Sequence, residues 1–168
     1  QKNLGIAGLT VVIIREDLIT KNYPEYTPLM LQYKIHADKG SMYNTPPTYG
    51  IYMCGLVFEH LINHGGLKAM HDHNKKKAAL LYDYLDQSSL FKPVVAKADR
   101  SLMNVTFNTG NEDINKKFIE QAKNNGLVNL KGHRSVGGMR ASIYNAMPYE
   151  GVEALVNFMR KFEKENLV

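Results

Sequence analysis

The sequence predicts an α/β fold, with a first part belonging to a mostly parallel sheet and its helices and a second part forming a small C-terminal α/β domain. Three observations point this way. Residues 9–15 are a continuous β-branched and apolar run behind Gly5 and Gly8, the pattern of a strand buried on both faces. Residues 48–88 and 149–166 carry apolar side chains at helical spacing. Beyond residue 101, short strand signals alternate with a further helix. With 168 residues and 44% hydrophobic content, the chain can bury one sizeable core, or a small core and part of another.

In chain order, residues 16–43 are irregular and hold Pro24 and Pro28. Asn44 and Thr45 then stand ahead of Pro46 and Pro47, where a polar cap followed by proline spells a helix start. The helix predicted over 48–64 is apolar nearly all round (Ile51, Met53, Cys54, Leu56, Phe58, Ile62), so burial within a domain or between subunits is expected. Tyr43, Tyr49 and Tyr52 are expected in a core or an interface. Gly65 and Gly66 break the helix. A second, amphipathic helix over 67–88 turns Met70, Ala78, Leu81 and Leu85 inward, with Lys75, Lys76 and Lys77 on a solvated face. A change of pattern over 88–101 marks the expected domain boundary. Residues 102–107 alternate as a strand, Asn111 caps a helix stopped by Gly126, and short strands are expected over 127–130 and 139–143. The last helix spans about 149–166, with Val152, Leu155, Val156, Met159 and Phe162 inward.

The net charge of +5 is scattered, and the lysine run lacks interleaved aromatics or glycines, so no nucleic-acid partner is expected. No stretch is long and apolar enough to span a membrane, and no membrane partner is expected. The single cysteine excludes an intramolecular disulfide and suits a reducing compartment. The sequence runs without a start methionine straight into a strand signal, which reads as a chain entered midway through a domain. His71 and His73 lie two apart on a helix with no accompanying zinc spacing, so no metal site is expected.

Three places can carry chemistry. Between Lys131 and Gly138, three glycines allow close backbone approach to a ligand. His133 and Arg134 suit a phosphate, and Arg140 on the following strand suits a carboxylate; a flexible surface loop with solvated arginines is the competing reading. The helix start at Asn44 and Thr45 is a candidate anion site in which side chains must replace the two amides lost to proline, or else an ordinary cap. Lys2, next to Gln1 in a glycine-containing turn, is either a shielded amine able to form a Schiff base or an inert, exposed lysine.

The segments QKNLGIAGLTVVIIREDL, YNTPPTYGIYMCGLVFEHL and LKGHRSVGGMRASIYNA run in order over nearly the whole chain. Together they resemble the phosphoserine aminotransferases, class V members of the fold-type I pyridoxal-phosphate enzymes. The resemblance implies that residues 1–90 end the large pyridoxal-phosphate-dependent transferase domain and that 91–168 form the small C-terminal domain. It implies pyridoxal 5'-phosphate as cofactor and transamination between glutamate and a phosphorylated 2-oxo acid, 3-phosphohydroxypyruvate, giving phosphoserine and 2-oxoglutarate. It also implies a cytoplasmic homodimer with active sites at the interface. Lys2 matches the lysine bonded to the cofactor, and Gln1 a residue near the cofactor phosphate. Asn44 and Thr45 match residues reaching the cofactor phosphate of the neighbouring subunit. His133 and Arg134 match the groups that recognise the substrate phosphate or the glutamate side-chain carboxylate, and Arg140 the arginine for the α-carboxylate. The family's cofactor-stacking aromatic and the aspartate facing the pyridine nitrogen precede the segment matched by Gln1, so this chain alone is expected to be inactive. Alternatives are another class V aminotransferase with a non-phosphorylated substrate, or a non-catalytic fragment that pairs through the 48–64 helix.

Overall fold

Caps and glycines set most of the helix boundaries in the computed structural model, which describes residues 1–19 and 22–167. Two compact units divide the chain, Gln1–His60 and Leu61–Val168. The first holds short 3-10 turns at Glu16–Leu18 and Leu29–Leu31 and helix α1 (Tyr33–Asp38), and ends within helix α2 (Thr48–Asn63). In the second follow α3 (Gly66–Gln87), β1 (Lys92–Pro93), β2 (Asn104–Asn108), α4 (Glu112–Asn124), β3 (Met139–Ser142) and α5 (Tyr149–Asn166). The three strands form one antiparallel sheet in the order β1-β2-β3. The expected α/β class holds, built here from a small sheet and its helices.

Two strand expectations fail. Residues 9–15 join no ladder, and Val11, Val12 and Ile13 are exposed, Ile13 to 97%. Their β-branched pattern suits a sheet interior, but a strand exists only against a partner, and none lies beside it among the described residues. Residues 127–130 are not a strand either, because Asn129 takes the left-handed conformation (φ 62) and breaks the extended run. What survives is one bridge between Lys131 and Met139 and a bond from the Arg140 amide to the Leu130 carbonyl, 2.7 Å. The strand expected from residue 102 starts at Asn104, since the Ser101 hydroxyl accepts from the amides of Met103 and Asn104 and holds them in a turn.

Alternation along β2 and β3 sorts the sheet into two faces. Val105, Phe107, Met139 and Ala141 are buried, whereas Asn104, Thr106, Asn108, Arg140 and Ser142 occupy the less buried, polar face. Against the apolar face pack Leu81 and Leu85 of α3, Phe118 and Ala122 of α4, and Val152, Val156, Met159 and Phe162 of α5. Phe91 ties the elements together, its ring centre 4.9 Å from Phe118, 5.9 Å from Phe107 and 6.0 Å from Phe162. Each such fully buried side chain contributes on the order of 1.5–3 kcal/mol.

Helix α2 is not buried within this chain, which answers one half of its expected burial and leaves burial between subunits untested. Within this chain only Gly50 and Cys54 are buried, while Tyr49, Tyr52, Leu56, Phe58 and Ile62 are exposed, and Tyr43 ahead of the helix is exposed too. These rings are therefore not core residues of the chain. The solvated lysine face fails in part. Lys75 and Lys76 are exposed, but Lys77 is fully buried, because it falls on the stripe of Asn74, Ala78, Leu81 and Leu85.

Candidate active site

A basic hairpin leads into β3. The Gly132 amide donates to the Gly138 carbonyl (2.9 Å), and the amides of Val136 and Gly137 both donate to the His133 carbonyl (2.9 and 2.8 Å), so residues 133–137 close a tight turn. Two glycines are required by crowding. A β-carbon on Gly132 would run into the Gly137 carbonyl, and one on Gly138, which also has φ 59, would lie 2.7 Å from the Phe107 carbonyl. His133 and Arg134 are exposed on the turn. The Ser135 amide donates to His133 Nδ1 (3.3 Å), and the Ser135 hydroxyl lies 2.7 Å from the same atom. Because an amide can only donate, Nδ1 is the acceptor and Nε2 carries the proton, free to donate outward. Arg140 sits on β3 directly opposite Thr106, half-buried, with its Nε buried and without a protein partner. The fold thus gathers all three predicted substrate-side groups on one hairpin and the strand it feeds.

The other four predicted residues lie in the first unit. Lys2 has φ 74, a conformation that costs a residue with a β-carbon about 1–2 kcal/mol, and it bridges to Gly5. Gln1 and Lys2 are exposed, and the turn they open packs on α2, where Gly50 gives Leu9 room: a β-carbon there would lie 3.3 Å from that of Leu9. Asn44 and Thr45 are exposed as well. Asn44 does not cap the helix as expected, since its amide turns to the Thr45 carbonyl (3.4 Å) and α2 starts only at Thr48, where the Pro47 carbonyl accepts from Ile51 (3.0 Å). The Asn44 amide is therefore not spent on the helix start. A primary amine that can add to an aldehyde, with neutral amide and hydroxyl donors for a phosphate, is a donor set that fits an aldehyde-bearing phosphate ester.

Sequence reasoning missed two buried charges beside the hairpin's domain core. Lys77 Nζ donates to the carbonyls of Ile143 (3.3 Å), Tyr144 (2.7 Å) and Met147 (2.8 Å), while burial pushes its pKa below the ordinary lysine value. Glu163 accepts from the Tyr84 hydroxyl (2.5 Å), the Ser88 hydroxyl (2.9 Å) and the amides of Ser89 (2.6 Å) and Leu90 (3.0 Å). For Lys77 the signal was its place on the apolar stripe; for Glu163 only three-dimensional contacts reveal it.

Comparison with known proteins gives one consistent result. The family model for aminotransferase class-V matches residues 1–155. A phosphoserine aminotransferase of Histophilus somni (strain 129Pt) is 58% identical over 166 residues, covering 99% of this chain and 46% of that protein. Among solved structures, phosphoserine aminotransferase from Bacillus circulans subsp. alkalophilus superimposes with a TM-score of 0.93 at 48% identity, over 98% of this chain and 46% of that one. The PLP-bound phosphoserine aminotransferase from Trichomonas vaginalis gives 0.83 at 38% identity, over 88% and 42%. The chain thus spans somewhat less than half the length of the curated relatives it matches.

Proposed function

The chain belongs to the aminotransferase class-V family, and from that premise we propose that it is the C-terminal part of a phosphoserine aminotransferase that uses pyridoxal 5'-phosphate. On this reading it moves an amino group from glutamate to 3-phosphohydroxypyruvate, giving phosphoserine and 2-oxoglutarate. The observation that carries the reading is the hairpin: His133 and Arg134 stand on a glycine-crowded turn, and Arg140 on the strand it leads into. A doubly anionic acid suits such a pairing of an outward N–H donor and a guanidinium with a second, carboxylate-gripping arginine. The similarity to named phosphoserine aminotransferases over nearly the whole chain supports it further.

When bound, the cofactor supplies an aldehyde that takes an amine covalently and a ring that withdraws electrons from the adjoining C–H bond. Lys2 would hold it by that bond and, once released, its Nζ would take the proton from the substrate Cα. Gln1 would lie near the phosphate ester, and Asn44 and Thr45 would reach the phosphate of the cofactor held by the neighbouring subunit. His133, through Nε2–H, and Arg134 would bind the substrate phosphate or the glutamate side-chain carboxylate. Arg140 would fix the α-carboxylate and with it the direction of the Cα–H bond. The remaining catalytic parts, the stacking aromatic and the aspartate at the ring nitrogen, belong on this reading to the other half of the relatives' length. The partition into a large-domain part, 1–90, and a small domain, 91–168, is part of the same proposal.

A homodimer completes the reading. The exposed apolar side chains of α2, next to Asn44 and Thr45, suit a subunit interface near the cofactor phosphate. We place the protein in the cytoplasm, in keeping with its single, buried cysteine. No helix among the described residues is long and apolar enough to cross a membrane.

Borohydride reduction of the full natural polypeptide, followed by peptide mapping, tests the proposal. A pyridoxyl group on Lys2 is the expected result, and an unlabelled Lys2 sinks it. Replacement of His133 and Arg134 by alanine is expected to raise KM for the phosphorylated acid by about 10²-fold or more. If kinetics toward that acid stay unchanged, the substrate is not phosphorylated.

A further inference from the structure

A helix of 22 residues reaches the end of β3 through two side chains. Asn74 and Lys77, three apart on α3 and so on one face, both point at the turn that follows the strand. Lys77 Nζ has its three donors on the carbonyls of Ile143, Tyr144 and Met147. Asn74 donates to Asn145 Oδ1 at 2.8 Å. The turn closes on itself through the Met147 amide and the Tyr144 carbonyl (2.9 Å) and is fastened to the sheet on its other side. There the Ile143 amide donates to the Met103 carbonyl (2.9 Å) and the Tyr144 hydroxyl to Asn104 Oδ1 (2.9 Å). Asn104 faces Ser142, and two places along the same ladder Thr106 faces Arg140. The turn is therefore pinned between a long helix and the strand pair that presents the arginine.

Packing alone does not call for a cation here. A fully buried ammonium is costly, and a methionine of similar length would fill the space. What an ammonium adds is three directed bonds to one stretch of backbone, which fixes register and height rather than filling volume. We infer that Lys77, assisted by Asn74, is a positioning residue for Arg140: it clamps the turn ending β3 to α3 and so sets where the guanidinium meets the substrate's α-carboxylate. This rests on the reading of Arg140 given above.

The test is steady-state kinetics of the full-length holoenzyme, well below its melting temperature, on Lys77→Met, Lys77→Arg and Asn74→Ala. KM for glutamate is compared with Ki for inorganic phosphate, which engages the basic turn but not Arg140. A displacement of Arg140 by a fraction of an ångström is expected to raise the glutamate KM of Lys77→Met about tenfold, with the phosphate Ki unchanged and Lys77→Arg recovering part of the loss. Equal weakening of both, or of neither, overturns the inference, because general loosening would not spare the phosphate. Should Lys77→Met not accumulate folded, Asn74→Ala decides by the same comparison, with about a threefold rise expected in the glutamate KM alone; an unchanged KM or a parallel change overturns it. Arg140→Ala separates the two claims. If its glutamate KM stays at the wild-type value, the carboxylate assignment falls and the clamp with it; if it rises while the α3 variants do not respond, only the clamp falls.

Discussion

The carboxylate at position 163 gathers the loose ends of a helix. As α3 ends at Gln87 the chain turns sharply, and the amides of Ser89 and Leu90 together with two hydroxyls converge on Glu163 from α5. Burial pushes this carboxyl's pKa up, but the bonds from Tyr84, Leu90, Ser88 and Ser89 outweigh it, and the net position is below the ordinary value of 4.5. A depressed carboxylate stabilises the fold at pH above that ordinary value, and the contribution is lost as pH falls through the lower folded value. Glu163→Gln is therefore expected to cost about 2 kcal/mol near neutral pH, with the gap to wild type closing below about pH 4.5. Urea unfolding at several pH values measures this, and a gap independent of pH would refute the role. The phenol of Tyr84 is driven upward by burial first and by the same carboxylate second, so both members of the pair keep their neutral-pH forms.

Among the elements, α4 is the one whose local signals agree most fully. The Asn111 side chain accepts from the amides of Asp113 (2.9 Å) and Ile114 (3.2 Å) at one end. At the other, Gly126 at φ 80 lets the amides of Gly126 and Leu127 reach the carbonyls of Lys123 (3.1 Å) and Ala122 (2.9 Å). Asn111→Ala is expected to cost about 1 kcal/mol in denaturant unfolding, and no measurable loss would show that tertiary packing alone holds the helix. Both ends of α4 and the inward face of α5 were legible because caps, glycine and period-3.6 patterns act within a few residues. The basic hairpin was legible for the same reason, with crowding accounting for Gly132 and Gly138. Residues 9–15 misled because a strand pattern states a need for neighbours without supplying them. Lys77 misled because a run of three lysines hides that one of them faces inward. Glu163 left no local trace at all, since its four donors come from residues 84–90.

At the scale of the whole molecule, the face of α2 is an unspent resource. Tyr49, Tyr52, Phe58 and Ile62 expose aromatic and aliphatic surface on a helix whose buried side is only Gly50 and Cys54. On the proposed reading of a homodimer, this surface is expected to lie at its interface. Ile62→Asp should then raise the dimer dissociation constant by about tenfold or more, as read by sedimentation at a series of concentrations. An unaltered dimer would move the interface elsewhere. The division into two units also separates the tasks proposed for the chain, with the amine and the cofactor-phosphate donors in one unit and the three substrate-side groups in the other.

On the proposed reading, the hairpin's suspension from β3 bears on how an acid is held. His133 and Arg134 are joined to Arg140 by covalent chain and by the Gly132–Gly138 and Leu130–Arg140 backbone bonds, not by the docking of separate parts. Within one chain, the backbone spacing between the basic turn and Arg140 is therefore set by the hairpin and the strand it feeds. If all three groups serve one site, an acid longer by one carbon would on that reading be met by movement of side chains, not of the backbone that carries them.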